Sequence, residues 1–153
     1  MQPVDPMTAS AEDAFMATIL ELGRRMRQRL PGDELDYSLL PVLRVLCEGG
    51  PARHTALAER LRLDASTVSR KIRHLEERRL VVVSPDAADG RARQVELLPA
   101  GRRALEQLLD RRRDLIADVL SSWPDADRAL LHQLLDRFNT DLTRSADVAA
   151  AHP

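Results

Sequence analysis

The chain has 153 residues, 44% apolar and 31% charged, with a formal net charge of −1 and one cysteine. This composition is that of a globular protein long enough for one domain with a modest core, and it excludes a chain disordered throughout. No apolar run approaches the roughly 18 residues of a membrane span, no basic stretch followed by an apolar one opens the chain, and a single cysteine excludes an intramolecular disulfide framework. The expectation is a cytoplasmic protein.

Charge is segregated along the chain. Residues 53–93 hold ten Lys or Arg against six Asp or Glu, a net of +4, whereas residues 1–52 carry −3 and residues 114–153 carry −4. A basic centre between acidic ends is the footprint of local polyanion binding, because phosphate neutralisation is screened within about 10 Å.

In the first segment Phe15, Ile19, Leu22 and Met26 recur at 4-3-4 spacing, which predicts an amphipathic helix within residues 10–30. A second helix follows, where Leu40, Leu43 and Cys47 share one face. That spacing puts the thiol on the buried side as a small hydrophobe rather than a redox centre.

Residues 55–81 read as two short amphipathic helices split by a four-residue turn, the pattern of a helix-turn-helix. Leu57, Ala58 and Leu61 supply the apolar face of the first helix, and Leu63 is expected to bury its side chain in the turn. Asp64 is placed to cap the second helix, in which Val68, Ile72 and Leu75 form one stripe. At about 100° per residue, Ser66, Arg70 and Arg73 fall opposite that stripe, with Thr67 and Ser69 on its flanks. Arginine reaches O6 and N7 of guanine bidentately, and hydroxyls reach base edges or phosphates, so this face suits a major groove. The alternative is a solvated basic face.

After Leu80 come three valines, then a polar stretch from Ser84 to Arg93, then apolar–polar alternation from Gln94 to Leu98, which together predict a two-stranded wing with a polar tip. Arg91 and Arg93 fall on one strand face, and Asp89 stands two residues before Arg91, where its carboxylate is placed to orient the guanidinium toward a minor groove. An ordinary exposed hairpin, with charges that protect a strand edge, is the alternative.

A helix is predicted from about Ala100 to Ser121, ended before Pro124, and a last helix carries Leu130, Leu131, Leu134, Leu135, Phe138 and Leu142 as a wide apolar stripe. A winged helix of about 65 residues does not need all these helices for its own core, so they are expected to pack against a second copy; a monomeric helical subdomain is the other reading. No nucleophile elbow, phosphate-cradling loop or metal-protease helix is present, and His54, His74, His132 and His152 form no pair at i+3 or i+4. Neither catalysis nor a cofactor or metal is expected.

The stretches LDYSLLPVLRVL (35–46), LAERLRL (57–63), STVSR (66–70), Leu75–Glu76 with Leu80–Val81, and DGRARQVELLPAG (89–101) resemble the MarR family of winged-helix transcription regulators, and the resemblance covers nearly the whole chain. It implies a mainly α fold with a small β wing: a single domain over 1–153, a DNA-binding lobe over 36–98, and dimerisation helices over 10–30 and 100–148. It further implies a homodimer built from the first, fifth and sixth helices, with a pocket between those helices and the reading head for a phenolic or other aromatic effector. Family members often carry glycine in the turn and after the recognition helix. Here Arg62 and Arg79 stand there, where a left-handed backbone costs roughly 1 kcal/mol or more.

The expected function is sequence-specific binding of double-stranded DNA at a pseudo-palindromic operator, with recognition helices about 34 Å apart. Repression released by the effector is the expected mode. The expected DNA contacts are Ser66, Thr67, Ser69, Arg70, Arg73, Arg91 and Arg93; the dimer contacts are Phe15, Ile19, Leu22, Met26, Leu130, Leu131, Leu134, Leu135 and Phe138. The alternative is a protein-interaction module that uses the same surfaces without an operator.

Overall fold

End-capping sets where the helices begin. In this computed structural model, which describes residues 10–33, 35–86, 89 and 92–150 with side chains as far as Arg144, α1 (Ala11–Arg27) opens at Ser10. Its hydroxyl accepts the Asp13 N–H at 3.2 Å while the Asp13 carboxylate accepts the Ser10 N–H at 3.3 Å, so two end donors are satisfied reciprocally. Asp36 caps a 3-10 turn over Tyr37–Leu39 by accepting from the Ser38 N–H at 2.7 Å, and α2 (Leu40–Gly49) follows with Pro41 in its first turn, where no N–H is needed.

A two-residue strand β1 (Ala52–Arg53) then leads into α3 (His54–Leu61) and α4 (Ala65–Glu77). Strands β2 (Val81–Pro85) and β3 (Arg93–Leu97) complete an antiparallel sheet in the order β1-β3-β2, with Ala52 opposite Val95, Val81 opposite Leu97 and Pro85 opposite Arg93. The third strand is an addition to the expected two. The strands also run further than expected, taking in Ser84, Pro85 and Arg93, because pairing continues beyond the apolar residues.

The stripe of α4 meets the core as its spacing requires: Val68, Ile72 and Leu75 are buried beside Leu43, Leu46, Leu57 and Val95. Each fully buried aliphatic side chain contributes roughly 1.5–3 kcal/mol. Leu63 departs from expectation, at 36% exposed. Arg62 adopts φ 52° and ψ 42°, and the Leu63 N–H returns to the Ala58 carbonyl at 3.0 Å, so the chain reverses before the leucine reaches the core. Arg79, with φ 56°, makes the matching reversal after α4. Each left-handed residue costs about 1–2 kcal/mol relative to glycine.

Cys47 is half-buried against the core, and its sulfur also accepts a hydrogen bond from Arg102 Nη1 at 3.0 Å. It is thus not the purely apolar contact its spacing suggested, because the Arg102 guanidinium reaches the rim of that face. α5 (Pro99–Leu120) begins where Gly101 lies against β2 and β3: a Cβ there would strike the Leu80 carbonyl oxygen and Leu97 Cδ1. α6 (Asp125–Ala150) starts after Pro124 with Asp125 and Asp127 in its first turn, a favourable sign at a helix N-terminus.

Two compact units meet between Arg112 and Arg113, inside α5. In the first, Arg112 is buried and donates to the carbonyls of Met26 and Gln28 at 3.1 and 3.2 Å, which ties the end of α1 to α5. In the second, α6 carries Leu130, Leu134, Leu135, Phe138 and Leu142 exposed and Leu131 half-buried. Among the described residues no helix is long and apolar enough to cross a membrane.

Candidate nucleic-acid interface

The start of α4 is organised by one carboxylate. Asp64 Oδ1 accepts from the Thr67 N–H at 2.8 Å and from the Ser66 hydroxyl. These hydrogen bonds, that of Ser66 first, hold its acid well below the usual carboxylate range. The helix therefore presents a fixed N-terminal turn, the part of a recognition helix that enters a groove first.

With Val68, Ile72 and Leu75 turned inward, Ser66, Ser69, Arg70 and Arg73 are exposed and Thr67 is half-buried at the edge. Arg70 Nη2 donates to Thr67 Oγ1 at 3.0 Å, which restricts a long side chain before any ligand arrives. The Arg73 side chain has no hydrogen bond or ion pair to the described residues. Further along, Lys71 Nζ donates to the Ser38 carbonyl at 2.7 Å and so braces α4 against the turn before α2; sequence reasoning gave Lys71 no role.

The wing has an anchor that sequence reasoning also missed. Arg53 Nε donates to Asp86 Oδ2 at 2.7 Å, and Asp86 Oδ1 accepts the Asp89 N–H at 3.1 Å, so β1 grips the base of the tip. Arg53 and Asp86 are 33 residues apart, and no local pattern links them. Arg93 is exposed at the start of β3. Arg91, and with it the expected contact to Asp89, lies outside the described residues.

Beside α4 lies a cavity of about 140 Å³ lined by Arg27, Arg29, Leu35, Asp36, Tyr37, His74 and Arg78. Arg27 at the end of α1, Arg29 just after it and His74 and the C-cap Arg78 of α4 line it together with the Asp36 carboxylate, the Tyr37 ring and Leu35. Among the described residues no group of three or more His, Cys, Asp or Glu is placed to hold a metal ion.

The apolar residues expected at a dimer surface divide by burial. Ile19 and Leu22 are exposed on α1, Phe15 is half-buried, and Met26 is buried within its own chain. Trp123, just before α6, and Leu130, Leu131 and Leu134 on it line a shallow apolar depression beside Asp127.

A sequence profile of the MarR family matches residues 36–92, a span that takes in α2 to β2. The HTH-type transcriptional regulator YxaD of Bacillus subtilis is 33% identical over 105 residues, covering 69% of this chain and 73% of that protein. Mb0904, an HTH-type transcriptional regulator of Mycobacterium bovis, is 27% identical over 82% of this chain and 87% of its own length. Among solved structures, a MarR family protein from Bacillus stearothermophilus superposes with a TM-score of 0.74 at 22% identity, covering 93% of this chain and 99% of the other. The YusO protein from Bacillus subtilis gives 0.75 at 19%, covering 91% and 99%. At those identities the structures establish the fold; with the profile and the likeness to YxaD added, the chain belongs to the MarR family of transcriptional regulators.

Proposed function

We propose that the protein is a homodimeric, sequence-specific binder of double-stranded DNA that represses transcription until a small aromatic anion releases it. The observation that carries this reading is the two-sidedness of α4: its apolar stripe is locked into the core while Ser66, Ser69, Arg70 and Arg73 project from the other side of an Asp64-capped turn. Arg70 and Arg73 are the base readers, Ser66, Thr67 and Ser69 serve base edges or phosphates, and Arg91 and Arg93 serve the minor groove from the wing.

The exposed apolar residues of α1 and α6 support a second copy as partner. Phe15, Ile19 and Leu22 carry the α1 part of that surface, since Met26 is taken up by its own chain, and Leu130, Leu131, Leu134, Leu135 and Phe138 carry the α6 part. The cavity beside α4 suits the effector. Arg27, Arg29 and Arg78 outnumber the one carboxylate of the lining, Asp36, and match a carboxylate or phenolate, although Arg29 also donates to the Asp33 carbonyl and Arg78 to His74; Tyr37 and Leu35 match a ring, and His74 and Arg78 belong to the reading helix itself. An occupant that fits only one placement of α4 shifts the population toward it, and full switching needs several kcal/mol of differential affinity.

Selection of bound fragments from genomic DNA tests this. The expected product is a duplex preferred at least about 100-fold over random sequence, with two inverted half-sites roughly 10–10.5 base pairs apart or a multiple of that. Equal retention of all duplexes, or retention only by an acidic protein, refutes it.

A further inference from the structure

Two residues of this chain, other than glycine and among those described, hold a left-handed backbone, and both are arginines at the ends of α4. Arg62 stands in the turn before the helix and Arg79 in the turn after it. Glycine would hold either backbone without steric cost. Such outliers concentrate where function over-rides local preference, so strain marks both arginines as candidates, and their places at the two ends of α4 decide between them.

Both guanidinium groups are exposed, and neither has a hydrogen bond or ion pair to the described residues. For Arg62 this is notable because Glu59, three residues earlier, supplies a carboxylate; only its backbone carbonyl is used, accepting the Arg62 N–H at 3.1 Å. The Asp64 carboxylate, two residues later, is occupied by Ser66 and Thr67. Arg62 is therefore a cation that its own neighbourhood leaves unneutralised. It stands at the end of α4 that leads into a groove, where phosphates line the rim and where the preceding helix crosses the backbone. Arg79 has the same chemistry and strain at the opposite end, beside the return into β2.

We infer that Arg62 is an additional DNA contact, a backbone-phosphate anchor in the turn that fixes the register of α4 on the duplex, and that Arg79 is not. This rests on the DNA-binding reading above. It makes Arg62 a positioning contact, neutralising one phosphate and carrying no base preference of its own.

The test uses the full chain and its selected duplex, with Arg62→Gly, Arg62→Asn, Arg62→Lys and Arg79→Gly. Glycine relieves the same strain at both sites, so both glycine variants should melt roughly 2–4 °C higher than the parent. Only at position 62 should binding weaken, by about fivefold per half-site near 0.15 M salt, with the slope of log K against log salt shallower by about 0.9 for each phosphate lost. Arg62→Asn, which tolerates a left-handed backbone without charge, should lose the same slope, and Arg62→Lys should restore most of it. Base preferences should stay as in the parent. An unchanged slope in both uncharged variants, or an equal loss in Arg79→Gly, overturns the inference while leaving DNA binding intact. A parent protein that binds no duplex overturns both.

Discussion

Arg112 and Asp33, 79 residues apart, form a two-pronged ion pair with Nη2 2.7 Å from Oδ2 and Nη1 3.3 Å from Oδ1. The Asp33 side chain is fully shut off from solvent, and it also accepts from Arg111 Nε at 3.0 Å and from the Leu30 N–H at 2.8 Å. The Arg112 guanidinium lies 5.4 Å over the ring of Tyr37. This network holds the segment after α1 against the middle of α5.

Removing one partner strands the other. Asp33→Ala should destabilise the protein by about 3–5 kcal/mol in urea unfolding, because a desolvated guanidinium is left behind. Replacing both, as Asp33→Leu with Arg112→Met, should cost far less, since an apolar pair of similar size carries no uncompensated charge. A loss below about 1 kcal/mol for Asp33→Ala would mean that water reaches the site.

The same carboxylate gives an acid-side pH dependence. Burial pushes the Asp33 acid up, but the hydrogen bonds from Arg112, the Leu30 N–H and Arg111 outweigh it, and the net shift is downward. A depressed acid contributes stability that is fully present above its unfolded value of 3.8 and is lost as pH falls through the lowered folded value. Asp64 acts in the same direction. Melting temperature should therefore fall below about pH 4, and the fall should be shallower in Asp64→Ala and in Asp33→Ala. Parallel acid profiles in the parent and both variants would contradict the assignment.

Gly101 is required by close approach rather than by a turn. Gly101→Ala places a methyl group against the Leu80 carbonyl and the Leu97 side chain, and the Leu98 N–H already donates to that carbonyl at 3.0 Å. Overpacking of this kind costs roughly 1–3 kcal/mol. Thermal unfolding should show it, and a variant as stable as the parent would mean that α5 moves away from the sheet at little cost.

Local periodicity carried the legible part of this fold. The α3 and α4 pair, the inward stripe of Val68, Ile72 and Leu75, the Asp64 cap and the α5–α6 break at Pro124 all follow from residues within one or two helical turns of each other, whereas the left-handed turns at Arg62 and Arg79 are marked by the family resemblance, which puts glycine there. What the pattern hid is non-local. Strand β1 is two residues long and has no alternation to display; the Arg53–Asp86 grip and the Arg112–Asp33 pair join residues distant in the chain. Leu63 misled because its apolar side chain suggested burial, whereas the left-handed backbone at Arg62 turns it outward. For α1, spacing placed Met26 with Phe15, Ile19 and Leu22, yet Met26 is buried by its own chain, Phe15 is half-buried, and Ile19 and Leu22 are exposed.

The exposed stripe of α6 makes the oligomer testable. Leu134→Asp puts a charge where two apolar faces are proposed to meet, and burying an unpaired carboxylate there is strongly unfavourable. Sedimentation should show the mass falling from two chains to one, with weaker operator binding in step. An unchanged mass would assign α6 another role.

Titrating salt against binding of the selected operator tests the DNA-reading role most directly, with Arg73→Ala measured alongside. The affinity should fall linearly on logarithmic axes by about 0.9 per phosphate contacted, and Arg73→Ala should lose about 1–3 kcal/mol with relaxed preference at one base position in each half-site. Absence of any duplex retention at the lowest ionic strength would contradict a nucleic-acid role for α4.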